Sequence, residues 1–215
     1  MSKYTGNIFK SFNKTMILPL IALAALFIVV AGFFLWKADI NNKFKDYKYK
    51  EAIAEASSLS KISFGIFDGK KYIKNLMEVN NISAIVDNEP ISKSVLDNTS
   101  KVMFTDSGVN DKSVVLDKLV DDYVVKTSYE GLEIASLSTS AFTSNEMKTF
   151  IGSNGGEDGL RKMTQDKYGL DSYVYLTDIF TLNYIVDNFK KENGLDGLGL
   201  ASWIELRKKS IVIVR

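Results

Sequence analysis

The chain has no cysteine and no histidine in its 215 residues, and only two prolines and two tryptophans. Without cysteine there is no disulfide framework, no thiol nucleophile and no haem attachment through a CxxCH motif. Without either residue there is no Cys/His zinc site and no Ser-His-Asp triad. General acid–base chemistry falls to Asp, Glu, Lys or Tyr. No group of carboxylates at fixed spacing points to hydrolysis, so the expectation is a non-enzyme with no catalytic residues, no cofactor and no metal. A dominant sign of charge is also missing. Lys and Arg number 27 against 26 Asp and Glu, for a net charge of +1. Nucleic-acid-binding domains usually carry a concentrated basic excess, so nucleic acid is not an expected partner. No internal repeat and no Pro-rich or Gln-rich tract is present. A cysteine-free fold needs no oxidising compartment and suits either side of a membrane. Abundant Lys, Asn, Ile and Asp is the composition of a low-GC, bacterial genome.

What is present is one long uncharged run, Met16–Trp36 (MILPLIALAALFIVVAGFFLW). At about 1.5 Å per residue, a helix of roughly 21 residues spans about 31 Å, the hydrocarbon thickness of a bilayer. Lys14 and Lys37 close the two ends, Trp36 stands where an interfacial aromatic would, and Pro19 falls in the first turn, where its missing N–H costs little. Two other readings compete with a membrane anchor. A buried core helix of this length would normally carry a polar stripe, and this run has none. A cleaved signal peptide has a shorter apolar region and small residues at its cleavage site, whereas this run ends in GFFLW.

Orientation is set by conflicting signals. The tail carries Lys3, Lys10 and Lys14 with no acid, and places Ile8, Phe9 and Phe12 among them. The other flank carries Lys37, Lys43, Lys45, Lys48 and Lys50, diluted by Asp39 and Asp46. Basic residues alone favour a cytoplasmic domain. A short tail before a single first helix is the layout of a signal anchor, and long domains translocate largely regardless of charge. The expected arrangement is tail in and domain out: a single-pass protein of the bacterial inner (cytoplasmic) membrane with an extracytoplasmic C-terminal domain.

The chain then divides into a tail (1–15), a transmembrane helix (16–36), a helical stalk (37–60) and an α+β domain (61–215), small, mixed and mostly antiparallel. Lys37–Leu59 shows no breaker, with Ile40, Phe44, Tyr47, Ala52 and Ile53 at helical spacing; a weak seam on it could pair two copies into a homo-oligomer. Over Ile62–Thr105 the pattern suggests strands at ISFGIF, ISAIVD and KVMFT, a strand or short helix at KYIKNLMEV, and a turn at Asn88-Glu89-Pro90. Asp111–Thr127 is the clearest helix, with Leu116, Leu119, Val120 and Tyr123 on one face and Asn110 or Asp111 as cap. LEIASLS reads as a short strand or helix start. Thr143 to Glu146 matches a capping box, and EMKTFI runs helically from it. Gly152–Gly159 reads as a flexible loop that lacks both the Lys-Ser/Thr of a P-loop and the ligand spacing of an EF-hand. LRKMTQDKYG reads as a short helix. Ser172–Glu192 fits a helix face, with Ser172–Leu176 alone open to a strand. SWIELRKKSIVIVR reads as two short strands about a Lys208-Lys209 turn.

Two clusters are candidates for function. Asp121-Asp122 could hold a cation, but adjacent helical residues diverge and rarely share a ligand. Tyr123, Tyr129, Tyr168, Tyr173, Tyr175 and Tyr184 concentrate in the C-terminal half. Tyrosines combine apolar area with a hydroxyl, so Tyr123, Tyr129, Tyr173, Tyr175 and Tyr184 are candidates for an interface rim or a ligand pocket, with core packing as the plain alternative.

Leu116–Phe150 resembles the VirB-type inner-membrane scaffold family of type IV secretion systems. The similarity lies in a helix ending in an aromatic pair like Tyr123 and Tyr129, a Ser-rich step like Leu137–Ser140, and a helix ending in an aromatic like Phe150. The resemblance implies a short cytoplasmic tail, one membrane helix and a periplasmic domain related to the nuclear-transport-factor cone fold, with long antiparallel strands after Phe150. The expected function is a membrane-anchored scaffold or assembly component of an envelope complex, with the lipid bilayer and other envelope proteins as partners. The alternative is an extracytoplasmic sensory domain with an aromatic-lined pocket for a small ligand.

Overall fold

The computed structural model describes residues 14–129 and 141–215. The LEIASLS element and the Ser-rich step Leu137–Ser140 lie outside them, as does most of the tail. The fold is mixed α+β but strongly helical, with one small antiparallel sheet among the described residues.

Helix α1 (Lys14–Lys45) is 32 residues long. From Pro19 it is long and apolar enough to cross a membrane, and Leu23, Phe27 and Ile28 are exposed along it. The expected unbroken stalk does not form. Tyr47 takes a left-handed conformation, φ 58°. Lys48 N donates to Lys43 O at 2.9 Å and Tyr47 N to Phe44 O at 3.3 Å, which is a Schellman stop built without glycine. The chain reverses, and α2 (Tyr49–Ile62) packs back along α1. Tyr49 meets Phe44 edge-on at 4.8 Å between ring centres. Ile40, Phe44, Tyr49, Ala52, Ala56 and Leu59 join one buried cluster with Phe67, Ile73, Met77, Ile82 and Ile85. Fully burying an aliphatic or aromatic side chain is worth about 1.5–3 kcal/mol, which outweighs the propensity for one straight helix.

Much of the expected β region is helical. ISFGIF is a turn, and α3 (Gly69–Val79) follows, capped by Asp68. ISAIVD supplies β1 (Ile82–Val86), and β2 (Glu89–Ser92) pairs with it antiparallel. The hairpin turn is Asp87-Asn88, one residue earlier than expected, with Asp87 at φ 57°. Pro90 lies inside β2, which is an edge strand and so tolerates the missing N–H. KVMFT is not a strand but the end of α4 (Lys93–Ser107): Ser92 accepts from Val95 N, and Gly108 closes the helix at φ 71°.

Helix α5 (Lys112–Thr127) forms as expected, with Asp111 as cap. In α6 (Asn145–Ser153) the capping hydroxyl is Ser144, which accepts from Met147 N at 3.0 Å. The expected glycine-rich loop is mostly helical: α6 ends inside it at Ser153 and α7 (Gly156–Tyr168) begins inside it, so only Asn154 and Gly155 form the turn. Ser172–Asn193 is helical throughout, as α8 (Ser172–Tyr175), a π turn (Leu176–Phe180) and α9 (Thr181–Asn193). SWIELR belongs to α10 (Gly197–Lys208), capped by Asp196, and the last apolar residues give β3 (Ile213–Val214). Among the described residues, those after Phe150 are therefore helical up to Lys208, and β3 is the only strand there.

The sheet order is β2-β1-β3. A bulge between Ile82 and Ala84 turns Ile82 off the face that strict alternation would give it. Ile82 and Ile85 therefore face the cluster of α1, α2 and α3, while Ala84, Val86 and Ile91 face a second cluster with α5, α9 and α10. The sheet is thus a partition with a core on each side.

Candidate binding groove

The α2–α3 crossing is set by glycine. A Cβ on Gly69 would lie 2.2 Å from Ala56 O, so only glycine lets the helices approach this closely. The turn between them is pinned by serines: Ser60 Oγ donates to Phe67 O at 2.8 Å, and Phe67 N donates to Ser63 Oγ at 3.2 Å. Asp68 Oδ1 accepts from Lys71 N at 3.1 Å and fixes the start of α3.

Between this helix pair and β3 lies an open groove of about 620 Å³. Ile53 and Ile73 come from the helices, and Val212, Ile213 and Val214 from the strand. Ser57, Ser60, Lys61, Lys70, Lys74 and Arg215 make the polar rim. The rim is cationic, with Asp68 as the one acid among the described residues that line it. Arg215 is paired with Asp117 across the edge of the domain.

Among the described residues, the strand wall has an unused side. Asp87 N donates to Val212 O at 2.6 Å, and Ile85 and Val86 stand opposite Val214 and Ile213. Antiparallel ladders alternate bonded and non-bonded pairs, so the N–H and C=O of Ile213 turn away from β1. β3 is the outer strand of the sheet, and no described strand takes up that edge.

The five candidate tyrosines do not form one site. Tyr123 is buried in the α5 core, with Lys126 Nζ 4.8 Å from its ring centre. Burial, with the charge of Glu89 adding to it, pushes its hydroxyl above the ordinary value. Tyr129 lies at the end of the same core, edge-on to Phe189, and donates to Glu192 Oε2 at 2.7 Å. Burial raises its hydroxyl, and the Glu192 bond adds to that. Tyr184 is half-buried on α9. Tyr175 stacks between Tyr168 and Phe150, at 5.4 and 6.0 Å, and burial pushes its hydroxyl up to about 12. Tyr173 is exposed and stacks on Phe142. None of the five lines the groove. The plain packing role accounts for Tyr123, Tyr129 and Tyr175.

Asp121 and Asp122 diverge as expected. Asp121 pairs with Lys208 at 2.6 Å, and Asp122 is buried and paired with Lys118. Burial raises the carboxyl of Asp122, partly offset by Lys118. Among the described residues, no three His, Cys, Asp or Glu side chains cluster as a metal site. Of the anchor residues, Pro19 is exposed, and Trp36 Nε1 donates to Glu55 Oε2 at 3.3 Å. A second cavity of about 70 Å³ lies between Tyr123, Lys126, Asp178 and Thr181, beside the π turn. Sequence reasoning missed the groove residues because they come from opposite ends of the folded part. The one local signal was the apolar IVIV of the last strand. No family model matches the chain, and comparison with curated proteins and with solved structures gives no significant match.

Proposed function

We propose that this chain is a single-pass, membrane-anchored polypeptide-binding component, a scaffold or assembly part of a bacterial envelope complex rather than an enzyme. Its folded part stands on the extracytoplasmic side of the inner membrane. The observation that carries this reading is the edge of β3, left open among the described residues, beside an apolar groove. An extended segment of another polypeptide can add to that edge by backbone hydrogen bonds and place alternate apolar side chains against Ile53 and Ile73. The groove is within the volume range of binding sites but open along one side, which suits a chain better than an enclosed small molecule. The sensory reading finds less support, because the cavity beside the π turn, at about 70 Å³, has room for only a few waters.

The test uses the full chain in detergent and fluorescent, unstructured peptides that alternate Val or Ile with polar residues. Saturable anisotropy is expected. Ile213→Pro removes an outward-facing donor and leaves the β1–β3 bonds in place, so it should abolish binding, while Tyr173→Ala should not. No binding, or binding indifferent to Ile213→Pro, would remove the proposal. A tag after Arg215 should be digested from outside in intact spheroplasts.

A further inference from the structure

The turn between α2 and α3 carries the two most exposed large apolar residues among the described residues, with a third exposed beside them. Phe64 is 96% exposed, Ile66 90% and Ile62 59%. The backbone holds them outward: Phe64 at φ 50° and Gly65 at φ 86° are two consecutive left-handed residues. A bulky side chain in that region is a conformational outlier, and such outliers concentrate at functional segments.

The position of the turn along α1 gives this exposure a meaning. Helix α2 runs back toward the apolar end of α1. Tyr49 meets Phe44, and Glu55 meets Trp36 and Lys43. Ile62 is two turns beyond Glu55, about 10 Å further in the same direction. Phe67 then meets Phe33 edge-on, with ring centres 5.8 Å apart. Phe33 lies inside the uncharged run, one turn before Trp36 and hence about 5 Å deeper than that boundary. Exposed lysines flank the turn at Lys61, Lys70 and Lys71. Lys37 marks the same level, with its Nζ 5.0 Å from the ring centre of Tyr72 on α3.

We propose that residues 62–67 enter the bilayer beside α1 and form a second membrane contact, with Phe64 and Ile66 among the acyl chains. The partner is lipid because the turn is continuous with the apolar surface of α1 at the depth of Phe33. Lys61, Lys70 and Lys71 reach back to the phosphates, as long cationic side chains do at interfaces. The folded part is thereby held at a fixed tilt and height, with the groove mouth close to the headgroups. The inference rests on the anchor half of the proposed function and not on the polypeptide-binding half.

The absence of cysteine makes the test direct. Single substitutions Phe64→Cys, Ile66→Cys, Leu26→Cys and Tyr173→Cys each carry an environment-sensitive fluorophore. The full chain is reconstituted in phosphatidylcholine–phosphatidylglycerol vesicles with nitroxide lipids that quench near the headgroup or at mid-chain. Positions 64 and 66 should shift to the blue and lose emission chiefly to the shallow quencher. Position 26 should lose emission to the deep one, and position 173 to neither. Quenching at 26 without quenching at 64 and 66 would overturn the proposal and leave the span intact. A blue shift at 64 and 66 without quenching would assign the turn to a second protein copy and overturn it equally. No quenching at 26 would remove the span and the proposal together.

Discussion

Replacing Gly69 by alanine tests the helix crossing on which the groove depends. The added Cβ would stand 2.2 Å from Ala56 O and 2.6 Å from its carbonyl carbon. Both are backbone atoms in the middle of α2, so no rotamer change relieves the contact. The helices must separate by at least about 0.8 Å before the distance enters the range of real Cβ contacts. Overpacking of this kind costs about 1–3 kcal/mol. In a domain of this size each kcal/mol lowers Tm by about 2–4 °C, so Gly69→Ala should unfold about 2–12 °C early. Gly197→Ala is the matched control. Nothing lies within 4 Å of its Cβ position and its φ is ordinary, so its Tm should hold or rise slightly, by up to about 1 kcal/mol of stability. Circular dichroism in detergent gives the midpoints, and amide hydrogen exchange should localise the loss to α2 and α3. A Gly69→Ala protein that melts with the parent, with α2 and α3 equally protected, would refute the close crossing and the groove shape built on it.

Two further expectations concern buried hydroxyls and backbone strain. The Tyr175 hydroxyl is held up to about 12, against about 10 in an unfolded chain. The folded state therefore keeps the proton more tightly, so this contribution is fully present below pH 10 and is lost as pH rises from 10 to 12. Tyr175→Phe should flatten part of that alkaline decline in urea-unfolding midpoints, and an unchanged profile would count against the buried stack. Tyr47 occupies a left-handed position at a helix stop. Tyr47→Gly should stabilise by up to about 1 kcal/mol in the same urea titrations, and a loss of stability would show that the Tyr47–Tyr49 ring contact matters more than the strain.

Legibility from sequence followed how local each cause was. Asp111–Thr127 was readable because its cap, Asp111, and its apolar face both lie within it, and the apolar run after Ser172 was long enough to identify as helix. β1 and the last strand were readable from their β-branched residues. KVMFT failed because its helix is fixed at a distance, by Ser92 at one end and Gly108 at the other. SWIELR failed because its helix starts in a glycine-rich segment that hides the cap at Asp196. The stalk failed because a tyrosine occupies the stop position where glycine was the signal to look for. ISFGIF looked like a strand because its apolar residues alternate with small ones, yet in the structure they form a turn that leaves all but Phe67 exposed. The candidate tyrosines were chosen by abundance, which carries no position, and the structure scatters them: Tyr123 and Tyr129 in the α5 core, Tyr175 in a separate aromatic stack, Tyr184 half-buried and Tyr173 exposed. The groove combines residues 53–74 with 212–215, a pairing that no window along the chain contains.

The antiparallel pairing of β3 with β1 also governs timing. Ile85 and Val86 emerge early from a ribosome or translocon, and their partners Val214 and Ile213 more than a hundred residues later. Ile213 packs on one side of the partition and Val214 on the other. Neither core is fully covered while those residues are still in transit, and a pairing of such long sequence separation is slow to form. During that interval the first helices are already tethered beside α1 while one edge of β1 stands open. A nascent chain of this protein therefore passes through a state in which its own last strand and any foreign strand compete for the same edge.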